Sequence, residues 1–237
     1  MCGRFTLTTD DYEGVARALN ADLDPEVAAS YRARFNVAPT DKHWIVVAES
    51  EQRILQPAVW GFSGDGRLAI NVRAETAHAR PLSREAFWSA RCGVAADGFF
   101  EWTGPKNARQ PIWFHRPDRG LFVFAGLYQD VVDDASGEVT RRFTVLTTRP
   151  NAIVKPYHDR MPVILDLASV DRWLAMPPAR GTAGIEALGS LLHPIADDFL
   201  VHDEVDRRVG DPRNDDPSLL EPPPPDAARK PEQQNLF

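Results

Sequence analysis

From Trp44 onward the chain breaks into short apolar runs separated by turn-forming residues. The runs cover residues 44–49, 53–60, 68–71, 92–96, 98–102, 111–115, 121–128 and 142–148, and they are rich in Val, Ile, Phe and Trp. Runs of this length and composition read as strands. Residues 133–137 (DDASG) carry turn chemistry between two of them, which predicts a hairpin and a mainly antiparallel arrangement. One helix precedes the strands. Residues 10–19 place Tyr12, Val15, Ala16 and Leu19 at helical spacing behind Thr9 as an N-cap. Further helices are predicted at 83–90, near 151–155, at 169–176 and at 185–192. Strands outnumber helices and the two do not alternate, so the fold class is α+β rather than a doubly wound α/β sheet. No internal repeat is present.

Composition narrows this picture. A chain of 237 residues with 43% hydrophobic content can bury one large core. The organisation expected is one domain over residues 1–221 and a tail over 222–237. The tail opens on four prolines at 222–225 and continues polar and poor in core residues, so it is expected to be disordered. The net charge of -7 excludes a protein coated in positive charge, so any nucleic-acid contact must come from a local patch. Two cysteines, Cys2 and Cys92, occur without a Cys-x-x-Cys pair or a His/Cys cluster. That pattern predicts no disulfide, no metal and no cofactor, with Cys92 a buried core thiol. The amino terminus is polar, and no run approaches membrane-spanning length, so a soluble cytoplasmic protein without a membrane partner is expected.

The chemistry begins at Cys2. Removal of Met1 leaves a cysteine whose α-amine and thiol sit on neighbouring carbons. With reference pKa values of about 7.7 to 8.0 for the amine and about 8.5 for the thiol, useful fractions of both reactive forms are expected at neutral pH. An aldehyde can form an imine with such an amine and be trapped by the sulfur as a thiazolidine. Taken alone, Cys2 reads first as a small apolar residue.

Four islands could serve it. Arg4 can hold an anion beside the nucleophile, or be a solvated surface residue. Asn71 and Arg73 share a face if their strand continues, the first able to donate and accept at a reacting carbon, the second to bind phosphate; a strand end with a helix cap is the plainer reading. Glu101 lies among Phe99, Phe100 and Trp102, where desolvation makes a carboxyl a general acid/base near neutral pH, unless it points outward. His158, followed by Arg160, is suited to proton transfer, although a lone histidine is often structural.

Six ordered motifs then resemble one family. MCGRF opens the chain, and RFNVAPT (34–40), NVRAET (71–76), DGFFEW (97–102), LTTRPN (146–151) and HDRMPVIL (158–165) follow. They are similar, in that order, to the SRAP family, the SOS-response-associated peptidases, known for crosslinking to abasic sites in single-stranded DNA. The resemblance runs to about Pro222. It implies a compact domain around a barrel-like arrangement of antiparallel sheets with flanking helices. It also implies roles. Cys2 would form the thiazolidine, Asn71 position the adduct, Glu101 sit beside the amine, and His158 assist sugar ring opening. Arg4, Arg73 and Arg160 would follow the DNA backbone, and Asn36, Pro39 and Thr147 would line the site. One departure is visible: a Ser63-Gly64-Asp65-Gly66 turn stands where the family carries a Pro-x-Trp loop, which removes an aromatic wedge.

Three other readings stay open: an amidohydrolase with an N-terminal nucleophile, a thiol peptidase limited to its own terminus, and a non-catalytic single-strand binding module. The tail ends Gln233-Gln234-Asn235-Leu236-Phe237, where Gln233, Leu236 and Phe237 are spaced like peptides that bind the bacterial sliding clamp. Abasic single-stranded DNA and that clamp are the partners expected, with the protein nucleoid-associated when bound to DNA.

Overall fold

The computed structural model describes residues 2–22, 25–49, 52–64, 67–106, 108–133, 135–175 and 180–224. In chain order its strands are β1 (Phe5–Leu7), β2 (Arg34–Val37), β3 (Lys42–Glu49), β4 (Gln52–Trp60), β5 (Phe62–Gly64), β6 (Arg67–Ala69), β7 (Asn71–Arg73), β8 (Arg91–Ala96), β9 (Gly98–Thr103), β10 (Gln110–His115), β11 (Phe122–Val132), β12 (Val139–Thr148), β13 (Met161–Pro162), β14 (Ile164–Leu165) and β15 (Val201–Glu204). The helices are α1 (Tyr12–Ala18), α2 (Pro25–Ala28), α3 (Arg84–Ser89), α4 (Leu167–Leu174) and α5 (Thr182–Gly189).

Five of the strands close on themselves. β12 pairs β4, β4 pairs β3, β3 pairs β8, β8 pairs β11, and β11 returns to β12. Closure removes the unpaired edges that an open sheet would present. Four of these pairings are antiparallel; the β4/β12 seam is parallel, with Arg142 opposite Val59 and Phe143 opposite Trp60. A second sheet of five strands runs in the order β15, β10, β9, β1, β2.

Side chains alternate across these strands, and both faces are covered. Val46, Ala95, Val123 and Ala125 pack with α1, α3 and α4 through Val15, Phe87 and Trp173. Their neighbours Ile45, Val47, Val94 and Phe124 face the second sheet through Phe5, Phe99 and Phe114. Two buried faces explain why the sequence shows continuous apolar runs rather than alternation. The far side of the second sheet is covered in turn by the C-terminal segment, where Val205, Val209 and Leu219 pack on Phe100 and Trp113.

The α+β class and the barrel-like arrangement are therefore as expected, and several local readings need correction. Residues 68–71 are not one strand: a bend at Ile70, whose carbonyl accepts from Trp60 Nε1 at 2.9 Å, separates β6 from β7. The predicted helix near 151–155 is instead a run of turns over 152–157, held by Asn151 Oδ1 accepting from the Val154 N–H at 3.0 Å. The cap of α1 is Asp11, whose carboxylate accepts from Gly14 N, rather than Thr9. β1, β2 and β15 had no periodic signal because three or four residues are too few to show one. The residues from 225 onward, and with them Gln233, Leu236 and Phe237, lie outside the described chain.

Candidate active site

The site is built around the start of β1. Phe5 is fully buried and meets His43, Trp60 and Phe124 edge-on at 4.6, 4.9 and 5.6 Å between ring centres. Asp97 fixes the strand from the other side, accepting from Thr6 Oγ1 at 2.6 Å, Thr8 Oγ1 at 2.6 Å and the Thr8 N–H. Pairing of Phe5 with Phe99, and the Phe100 N–H donating to the Arg4 carbonyl at 3.0 Å, point the chain before Phe5 along β9 toward Glu101.

Cys2 is 1% exposed, and its thiol donates to the Arg4 carbonyl at 3.4 Å. Burial, reinforced by the Glu101 charge, raises the thiol well above its ordinary range. With Met1 still attached, a thiolate in this setting would be desolvated and beside a carboxylate, which disfavours it. Asn71 opens β7, which lies parallel to β12 with Asn71 opposite Val145. Its Nδ2 donates to the Cys2 carbonyl at 2.7 Å. Its Oδ1 is buried and has no hydrogen-bond partner among the described residues.

Glu101, opposite Ile112 on β10, is 3% exposed, so it does not point outward. Desolvation pushes its carboxyl up to about 7, against the positive charge of the amino terminus, while Asp159 adds to the rise. His158 is half-buried, and desolvation together with the amino-terminal charge lowers its pKa. Its Nδ1 accepts from the Arg160 N–H at 2.9 Å and has the Asp159 carboxylate 2.9 Å away. Asn71 and Glu101 thus meet Cys2 from two separate segments, and His158, from a third, feels the same terminal ammonium that Glu101 does.

The expected DNA contacts divide. Arg73 is exposed, with no hydrogen bond or ion pair among the described residues. Arg4 is half-buried, donating to the Gly3 and Gly210 carbonyls at 3.2 and 3.3 Å, and burial lowers its pKa. Arg160 grips both oxygens of Glu75 at 2.8 Å and also the Thr147 carbonyl, so its charge is already engaged. Pro39 is half-buried in the turn after β2. Asn36 and Thr147 are fully buried and offer a ligand no surface. The Asn36 amide donates to the Val209, Asp211 and Asn214 carbonyls at 3.1, 3.1 and 2.8 Å, clamping the C-terminal segment. Thr147 Oγ1 reaches the Val72 carbonyl at 3.5 Å.

Sequence reasoning passed over Glu75 and Asp97, although both stand inside quoted motifs. A carboxylate two residues after Arg73, and another four before Glu101, were available signals. Among the described residues no cluster of three His, Cys, Asp or Glu could hold a metal ion, and no helix is long and apolar enough to cross a membrane. Cys92, on β8 opposite Gly126 of β11, is fully buried, as expected of a core thiol.

Comparison with known proteins follows the same outline. A crystal structure of a protein from Bacteroides thetaiotaomicron superposes with a TM-score of 0.78 at 23% identity, covering 93% of this chain and 99% of that one, which establishes the shared fold. Abasic site processing protein YoqW of Bacillus subtilis (strain 168) is 32% identical over 231 residues, 93% of this chain and 99% of its own. Abasic site processing protein YedK of Escherichia coli (strain K12) is 29% identical, over 94% of this chain and 100% of its own. The family model of the SOS response associated peptidases matches residues 1–212. With its fold, its motif order and nearly its whole length accounted for in this way, the chain belongs to the SOS response associated peptidase (SRAP) family.

Proposed function

We propose that this protein processes abasic sites in single-stranded DNA by capturing the sugar aldehyde as a thiazolidine on Cys2, once Met1 has been removed. The observation that carries the reading is the convergence of a buried thiol, an amide, a carboxyl near neutral pKa and a histidine on one amino terminus. Relatives described as abasic site processing proteins over nearly the full length support the substrate.

The chemistry divides among these groups. An abasic deoxyribose rests mainly as a closed hemiacetal. His158 takes the proton of the C1 hydroxyl and returns one to the ring oxygen, and the aldehyde opens. Glu101 takes a proton from the ammonium, and the free amine attacks the aldehyde carbon. Loss of water leaves an imine. The sulfur then adds to the imine carbon, and its proton passes to the nitrogen, closing the ring with one water released overall. The amine acts first, because the sulfur closes the ring only on an imine carbon that already exists. The unpartnered Asn71 Oδ1 is free to accept from the amine or from a sugar hydroxyl. Arg73 supplies charge for a phosphate, which is how an acidic chain holds DNA through a local patch.

Mixing the protein with single-stranded DNA carrying one abasic site tests this. A covalent band on a denaturing gel is expected for wild type, and none for Cys2→Ala or for a form extended before Cys2. Mass spectrometry of the active protein should find Met1 absent. Turnover of glutamine or peptide without the band would instead identify a hydrolase.

The tail adds a partner to this reading. Gln233, Leu236 and Phe237 dock on the bacterial sliding clamp and bring the domain to replication forks. Fluorescence anisotropy with a peptide ending at Phe237 is expected to show clamp binding that is lost in Leu236→Ala with Phe237→Ala; equal binding removes the partner.

A further inference from the structure

Beside the site lies a cavity of about 430 Å³ to which none of these steps assigns a role. Its walls come from Phe87 of α3, Ile185 and Gly189 of α5, and Leu192, and its mouth carries His78, His193 and Arg149. Phe87 and Leu192 are buried, whereas the histidines and the arginine reach solvent. The His78 ring stands edge-on to Phe87 at 6.0 Å.

The cavity is joined to the site by a single side chain. Glu75 lines it and holds both guanidinium nitrogens of Arg160, whose N–H contacts His158. Thr148 and Arg149, also in the lining, directly follow Thr147, whose carbonyl Arg160 also binds. The one carboxylate of the lining is thus already neutralised. Around it Arg73, Arg80 and Arg149 are exposed, and Arg73 and Arg149 have no ion pair among the described residues. An apolar slot with polar donors at its mouth and a cationic rim has the chemistry of a nucleobase attached to phosphate. Its volume falls within the range of small-ligand pockets.

We infer that this cavity receives the base of a nucleotide flanking the abasic site, so that the protein recognises the lesion together with one intact neighbour. This rests on the abasic-site reading above. The base enters against Phe87, Ile185 and Leu192, its polar edge meets His78 and His193, and its phosphate lies by Arg149 or Arg73.

Gly189 gives the test. It ends α5 and lines the cavity, and a Cβ built there meets nothing within 4 Å, so Gly189→Leu adds bulk at the cavity wall. Gly189→Ala is the control. Binding is read by anisotropy on oligonucleotides with tetrahydrofuran, a non-reactive abasic analogue, so that no covalent step intervenes. Wild type is expected to bind about tenfold more weakly when the base on one flank is also replaced by tetrahydrofuran. Gly189→Leu should lose that preference and Gly189→Ala should keep it, both with thermal midpoints at or above wild type. His78→Ala paired with His193→Ala should reduce the preference independently of any filling. Equal wild-type affinity with and without each flanking base overturns the inference, as does a preference that survives Gly189→Leu. The covalent band of wild type alone decides the thiazolidine reading, so the two fail separately.

Discussion

Glu101 has a carboxyl whose pKa in the folded chain, about 7, lies above the ordinary 4.5. A raised acid favours its neutral form in the fold, so its contribution to stability is full below about pH 4.5 and is lost as pH rises through 7. Glu101→Gln removes that loss. Urea melts are expected to show the variant more stable than wild type at pH 8, by on the order of 1 to 3 kcal/mol, and nearly equal to it at pH 4. The same change should slow crosslinking and abolish the inflection near pH 7 in its rate. An unchanged profile would remove the residue from proton transfer. Asn71→Ala loses the grip on the Cys2 carbonyl at 2.7 Å and is expected to slow capture about tenfold in single-turnover assays. At this scale the sequence was informative about residue type. Cys2, Glu101 and His158 could be picked out because each motif couples a reactive group to a setting suited to it. The thiol's protonation was not legible, since it depends on burial by β9 and by the start of β7, which are distant in the chain.

Three-residue β1 anchors the segment that carries Cys2, and it cannot hold its place by ladder hydrogen bonds alone. Asp97 supplies the difference through three acceptor contacts with Thr6 and Thr8. Asp97→Ala leaves the buried Thr6 hydroxyl and the part-buried Thr8 donors without their acceptor, which costs about 2 to 4 kcal/mol. A lower thermal midpoint is expected, together with a lower crosslinking rate at temperatures where the protein is still folded. A rate loss without a stability loss would place Asp97 in the chemistry instead. The apolar runs of the longer elements were plain from Val, Ile and Phe content, and the hairpin at 133–137 from its turn residues; Gly137 indeed takes φ 72°. The split of 68–71 was not, because the bend at Ile70 answers to Trp60 Nε1 and the Val145 N–H, both beyond local pattern.

Across the whole molecule, the segment after β15 behaves as part of the domain. Val205, Val209 and Leu219 cover Phe100 and Trp113, and the fully buried Asn36 amide ties this segment to β2. Truncation after residue 224 is expected to leave crosslinking and thermal midpoint unchanged, whereas truncation after 204 should yield insoluble protein, as judged by expression and gel filtration. Soluble, active protein from the shorter form would show that the cap is dispensable. The ring of strands has its own weak point. Its parallel seam is two residue pairs wide, tightened by Gly61 N donating to Phe143 O at 2.7 Å and by the stacked, near-parallel Trp60 and Phe143 rings, 6.2 Å apart. Such a ring behaves as a clasp: when the molecule breathes, it parts at that junction into a ribbon while the other four ladders stay zipped, and deuterium should reach the Gly61 amide before those of Val46 or Val94.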